Sequence, residues 1–195
     1  VLLALFIFQS VFMFGREIPY HLAPGIPVPS DKTLFVVGDS LSMGADPPGK
    51  NWPEALGDKA GLTVRNFSFG GAKVGTALSN AKRIDLAECL VLLEIGGNDL
   101  LGGTPVKRFE SDLEQMLSIV CTTGRKVVMF ELPLPPLFNR YGMVQRKLAA
   151  AHGVTLIPKR VLVDVLRRPG MTIDGLHLSN EGHEMLADAV AALLR

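Results

Sequence analysis

Four short segments of this chain carry side chains suited to nucleophilic chemistry. Gly38-Asp39-Ser40-Leu41-Ser42 follows the apolar run Leu34 to Val37. A serine there stands at the start of a helical turn whose backbone N–H groups point outward and stabilise negative charge, a placement that suits a nucleophile. Asn66-Phe67-Ser68-Phe69-Gly70-Gly71 puts glycines after a second apolar run, where backbone N–H groups can approach a ligand closely. Gly96-Gly97-Asn98-Asp99 follows Leu92 to Ile95, and an asparagine amide at a strand end can donate to an oxygen that gains charge during reaction. In Asp174-Gly175-Leu176-His177, a separation of three lets the carboxylate reach the imidazole Nδ1 and leaves Nε2 free to act as a base. Singly each segment is weak, since a Gly-Asp-Ser turn arises by chance and a lone histidine is more often structural. Their joint order is the signal.

The elements that must position these segments read as an alternation of short apolar runs with stretches of helical period, the pattern of a parallel sheet covered by helices on both faces. Five strands are expected: Thr33 to Val37, Thr63 to Phe67, Cys89 to Ile95, Lys126 to Leu132 and Val154 to Ile157. Phe109, Leu113, Met116, Leu117 and Val120 form the apolar stripe of one helix; Leu186, Ala189, Val190, Leu193 and Leu194 form that of the last, with Ser179 or Asn180 as its N-cap. In such a sheet the ligand crevice lies beyond the carboxyl ends of the strands, where the first three segments fall.

The composition limits the alternatives. With 48% hydrophobic residues, 20% charged residues and a net charge of +1, the chain is an ordinary globular protein without the basic field that nucleic acid requires. Two cysteines and four histidines with no metal-ligand spacing give no zinc or cluster site, so cofactor-free and metal-free chemistry is expected. Residues 1–15 hold twelve apolar side chains and no charge, a hydrophobic signal or membrane-anchor segment that implies an exported protein of bacterial type, whether periplasmic, anchored or secreted. Residues 16–32 carry four prolines and read as an extended spacer, which leaves residues 33–195 as the domain. Cys89 and Cys121 would lie at the same end of the sheet, so in an oxidising compartment both a disulfide and two free thiols are open to them.

The four segments in this order resemble the SGNH, or GDSL, hydrolase superfamily. The shared stretches TLFVVGDSLSMG, NWPEAL, NFSFGG, LVLLEIGGNDLLGG and DGLHLSNEGH are most similar to its thioesterase I, lysophospholipase L1 and arylesterase branch. The resemblance implies a three-layer flavodoxin-like α/β fold with a five-stranded parallel sheet of order 2-1-3-4-5. It implies that Ser40 is the nucleophile, His177 the base and Asp174 the residue that orients it. The oxyanion hole would be the backbone N–H groups of Ser40 and Gly71 and the side-chain amide of Asn98. The G-x-S-x-G elbow of the α/β-hydrolases is absent, because Ser42 stands where its second glycine would be.

The remaining features have plainer readings. His183 is expected at the surface or as a cap, His152 and His21 as structural, and Asp39 and Asp99 as bonding neighbouring backbone. Trp52 with Pro53 and Glu54 reads as a helix start with a packing anchor. Glu94 in an apolar strand needs a partner that the sequence does not name. Met43, Leu100, Leu101, Leu134, Leu137 and Phe138 are the candidate substrate-binding residues, with the Pro133-Leu134-Pro135-Pro136 loop as a stiff wall. Their apolar character favours a small-molecule ester or thioester with a short to medium acyl chain, hydrolysed by a monomer through an acyl-enzyme, with residues 1–15 offering membrane association. The alternatives are a carbohydrate O-acetyl esterase and a non-catalytic domain that binds an acylated ligand.

Overall fold

The computed structural model describes residue 15 and residues 17–22, 24–44, 49–135 and 139–195. Five parallel strands form one sheet of order β2-β1-β3-β4-β5, as expected. They are β1 (Thr33–Gly38), β2 (Thr63–Asn66), β3 (Leu90–Glu94), β4 (Lys126–Phe130) and β5 (Thr155–Ile157). The helices are α1 (Ser40–Met43), α2 (Trp52–Ala60), α3 (Val74–Ala81), α4 (Gly97–Leu101), α5 (Val106–Val120), α6 (Arg140–His152), α7 (Lys159–Leu166) and α8 (Asn180–Ala191).

Alternation along the central strands divides the interior in two, because successive strand side chains point to opposite faces. Phe35, Val37, Val91, Leu93, Val127 and Met129 meet α3, α5 and α6. Leu34, Val36, Leu90, Leu92, Val128 and Phe130 meet α2, α7 and α8. Since both faces are covered, β1 and β3 are buried throughout, which is why they read as continuous apolar runs. The edge strand β2 is half exposed and carries Thr and Arg accordingly.

The helix ends follow their local chemistry. Asn51 caps α2 by accepting from Glu54 N–H at 3.0 Å, Ser179 caps α8 through Gly182 N–H at 3.1 Å, and Gly61 and Gly153 close α2 and α6 in the left-handed conformation. Trp52 is fully buried and packs edge-on against Phe130, the anchor expected of it. His183 takes the capping role and not the surface one. It is buried in α8, and its Nδ1 accepts the otherwise unpaired N–H of Trp52 at the start of α2 at 3.2 Å. Burial lowers its pKa, which keeps the ring neutral and able to accept.

The described residues of 17–32 pack against the domain where the prolines suggest an extended spacer. Residues 17–21 are helical, with Glu17 bonded to Arg146 at 2.6 and 2.8 Å and to Lys159 at 3.1 Å, and with the Arg146 guanidinium stacked 3.8 Å from the Tyr20 ring centroid. Those two cations hold the Glu17 carboxyl down at about 2. Ile26 is fully buried and exchanges backbone hydrogen bonds with Leu193 and Arg195. Proline sets an extended backbone here, but it does not prevent packing. Residues 1–14 lie outside the described residues.

Cys89 and Cys121 are free thiols. Burial raises both, Cys121 to about 11, so neither forms a thiolate readily.

Candidate active site

The site assembles where β1, β2 and β3 end. Gly38 must lack a side chain, because a Cβ there would stand 2.7 Å from Ser42 Oγ and 2.8 Å from the Glu94 carbonyl oxygen. Asp39 follows in an extended conformation and caps the one-turn helix α1, its Oδ1 accepting Leu41 N–H at 3.0 Å. That cap turns the chain sharply, so Ser40 becomes the first helical residue and sits half-buried at the sheet's rim. Among the described residues its backbone N–H donates no hydrogen bond and its hydroxyl has no partner.

The second segment is stitched to the first. Asn66 donates from Nδ2 to the Ser42 carbonyl at 2.8 Å and accepts Ser68 N–H at 3.0 Å, an Asx turn that directs the chain toward Gly70 and Gly71. Asn66 stands in the quoted segment, yet only the structure shows its task; a polar residue ending a strand was the available signal. Gly71 has φ +71°, open space around its Cα, and a backbone N–H that donates to none of the described residues.

The third segment locks the other two together. Asn98 Nδ2 donates to Asp39 Oδ2 and to the Ala72 carbonyl, both at 3.1 Å, so one amide joins the ends of all three segments. As the site stands, both amide hydrogens are engaged. Asp99 bonds backbone, as expected, but remote backbone: its Oδ2 accepts Val74 N–H at the start of α3 at 2.8 Å. Glu94 finds its partners here. Its Oε2 accepts the Ser42 hydroxyl at 2.8 Å, and its carboxyl faces that of Asp39.

The fourth segment comes from the loop before α8. Asp174 Oδ1 accepts the backbone N–H groups of Leu176 at 2.9 Å and His177 at 2.7 Å, while Oδ2 lies 2.6 Å from His177 Nδ1. Gly175, at φ +86°, makes the tight turn between them. The imidazole hydrogen bond, followed by the two backbone ones, holds Asp174 down at about 2, so it is ionised throughout the working range. An ionised acceptor at Nδ1 keeps the proton on that nitrogen and leaves the Nε2 lone pair free. His177 lies near enough to Asp39 to act on its carboxyl, which brings the fourth segment toward the serine turn. No hydrogen bond links Ser40 Oγ to His177, whose ring bonds to Asp174.

Around this centre the apolar candidates separate. Met43 (45% exposed) and Leu101 (68%) project into solvent, and Ile173 (52%) and Leu176 (41%), absent from the sequence candidates, do so beside Asp174 and His177. Leu100 and Leu134 are half-buried, Leu134 against the core. Leu134 also borders a groove of about 450 Å³ between Pro133, Pro135 and α7. Leu137 and Phe138 lie outside the described residues. Among the described residues no cluster of His, Cys, Asp and Glu is arranged to hold a metal ion, and no helix is long and apolar enough to cross a membrane.

A doubly covered parallel sheet of this order, with Gly-Asp-Ser at the first strand end and Asp-x-x-His before the last helix, defines a class. The profile of the GDSL-like lipase/acylhydrolase family matches residues 36–185, and the chain belongs to that family. It is a serine ester hydrolase. Among its relatives, the arylesterase of Vibrio mimicus is 34% identical over 176 residues, 83% of this chain and 88% of the relative. Thioesterase 1/protease 1/lysophospholipase L1 of Escherichia coli K12 is 30% identical over 198 residues, 96% of this chain and 95% of the relative. Among solved structures, TesA superposes with a TM-score of 0.69 at 29% identity, covering 83% of this chain and 97% of that one. The psychrotrophic esterase EstA of Pseudoalteromonas gives 0.71 at 20% identity, with 83% and 96% covered, and shows the shared fold.

Proposed function

We propose that the protein hydrolyses carboxylic esters or thioesters of short to medium apolar acyl chains through an acyl-enzyme, with Ser40 as nucleophile, His177 as base and Asp174 as the residue that orients it. The observation that carries this reading is the ionised Asp174 set 2.6 Å from His177 Nδ1, together with an unpaired serine hydroxyl at the head of the capped turn that ends β1. Serine is too weak an acid to attack unaided at neutral pH. Nε2 takes the proton as Oγ bonds to the carbonyl carbon, then delivers it to the leaving alkoxide or thiolate. Water repeats the sequence on the acyl-enzyme and regenerates Ser40.

The carbonyl oxygen becomes an oxyanion in each step. Backbone N–H groups of Ser40 and Gly71, both without present acceptors, are suited to receive it. Asn98 supplies a third donor by giving up one of its two present bonds. The apolar chain follows from Met43, Leu101, Ile173 and Leu176, large exposed side chains within four residues of the reacting groups. A membrane-proximal, exported setting is consistent with the apolar residues 1–15.

A fluorophosphonate probe is expected to label the purified protein, with labelling abolished in Ser40→Ala and sharply reduced in His177→Ala. Rates across p-nitrophenyl esters should rise from acetate toward medium chains. Activity confined to acetyl groups, or undiminished labelling of Ser40→Ala, would overturn the reading.

A further inference from the structure

Behind the serine turn lies a pair of carboxyl groups that the reaction as described does not use. Glu94 ends β3 fully inside the protein, and its register partner on β1 is Gly38, the residue whose missing side chain lets Ser42 and Glu94 approach. Its Oε2 accepts Ser42 Oγ–H at 2.8 Å, and the backbone N–H of Asp39 donates to its carbonyl oxygen at 3.2 Å. Asp39 is also buried and reaches three structures at once: Leu41 N–H of α1 at 3.0 Å, Asn98 Nδ2 at 3.1 Å, and the Glu94 carboxyl.

Two facing buried carboxylates cannot both be ionised, since neither is solvated and each repels the other. Burial raises Asp39 too, but the N–H donors of Leu41 and Asn98 offset part of that by stabilising its negative charge. Glu94 has one hydroxyl, and burial followed by the Asp39 charge pushes its pKa well up. The proton therefore resides on Glu94. We propose that Glu94 is a positioning residue for ester hydrolysis: as a neutral carboxylic acid it donates a hydrogen bond to Asp39 while accepting one from Ser42, and so holds Asp39 where it fixes both the Ser40 turn and the Asn98 amide.

Loss of that proton puts a second negative charge against Asp39, which must then move and take the serine turn and Asn98 with it. Activity accordingly falls as pH rises through the ionisation of Glu94. The charged groups around Glu94 are few. Asp39 faces it from the β1–α1 turn, and His177 bears on Asp39 from the loop before α8. Asp99 is turned away to Val74 N–H, and Glu131, beyond β4, is paired with Arg146 at 2.6 Å. The neighbours of the following turn at Gly96 are Phe109 and Leu132.

This inference rests on the proposed roles of Ser40 and Asn98, and its test separates the two. Glu94→Gln keeps a donor for Asp39 and an acceptor for Ser42 but cannot ionise; its kcat/KM on a p-nitrophenyl ester should stay within about tenfold of the parent at neutral pH, keep the acid limb, and lose the alkaline one. Glu94→Leu removes both hydrogen bonds, and kcat should fall by about 10²-fold with KM little changed, as expected when an oxyanion donor is misplaced. Infrared spectra of the parent at neutral pH should show the C=O band of a protonated, buried carboxylic acid that is missing in Glu94→Gln. Absence of that band, or an alkaline limb unchanged in Glu94→Gln, overturns the inference, and neither readout depends on Glu94→Leu folding. Fluorophosphonate labelling that survives Ser40→Ala overturns the catalytic assignment instead, while the infrared band still decides the protonation of Glu94.

Discussion

Asp174 and Glu94 are both carboxyl groups beside the reacting centre, and the protein treats them in opposite ways. Asp174 is half exposed, and three donors from its own four-residue turn lower its pKa to about 2. Glu94 is buried, has one hydroxyl donor from α1, and faces another carboxyl, so its pKa rises. A local turn can supply hydrogen bonds with no help from the rest of the fold. A buried strand end takes whatever tertiary neighbours the sheet brings to it. The first arrangement makes a permanent anion beside an imidazole; the second, as proposed, makes a neutral acid that splints a scaffold.

The largest effects should come from the exposed side of this contrast. Ser40→Ala and His177→Ala should each lower kcat by about 10⁶-fold, and Asp174→Asn by about 10⁴-fold. All three should leave the melting temperature nearly unchanged, because the side chains are partly exposed. A large loss of stability in Asp174→Asn would show that its turn supports the fold as well as the base, and would blur the distinction.

Asn98→Ala comes next, with a fall in kcat of about 10² to 10³, the usual result of removing one oxyanion donor. Because Asn98 also ties Asp39 to Ala72, a moderate drop in thermal stability should accompany it. A kinetic loss without any thermal loss would place Asn98 with the partly exposed proposed catalytic residues and not with the buried splint.

Gly38→Ala tests the splint directly. Its Cβ would press on Ser42 Oγ and the Glu94 carbonyl at 2.7 and 2.8 Å, so overpacking should cost about 1–3 kcal/mol. A calorimetric scan should read that as a melting temperature lower by about 2–4 °C per kcal/mol. An unshifted melting temperature would mean that α1 yields freely.

The smallest effect is a pH dependence away from the site. Burial lowers the folded-state pKa of His183 below its ordinary 6.5. As pH falls through 6.5 the unfolded chain binds the proton first, so stability declines from there down to the lowered folded value and is constant below it. His183→Asn, which retains an acceptor for Trp52 N–H without titrating, should flatten that part of the melting temperature profile. A profile identical to the parent would assign the slope to other groups.

Much of the site was legible because each segment carries its own local instruction. The Asp174-to-His177 spacing suffices for the turn and the imidazole hydrogen bond, and Asp39 before Ser40 suffices for the helix cap. Glu94 was recognisable only as a polar residue lacking a visible partner. Its two contacts come from residues 52 and 55 positions away, brought together by the β1–β3 register. His183 was readable as a cap but not as the cap of another helix, because the N–H it accepts lies 131 residues distant.

Periodicity in the sequence alone determined the layers, and strand-end chemistry marked the candidate side chains, because these depend on neighbours a few residues apart; the strand order came from the resemblance to a known family. The tertiary structure decided which polar groups share a buried space. It gave Glu94 its proton, made Asn98 a clamp across three segments, and packed Ile26 of the proline-rich stretch against the C-terminus. Hydrogen bonds across the sheet and the desolvation of charge are properties of proximity in space, which no local spacing encodes.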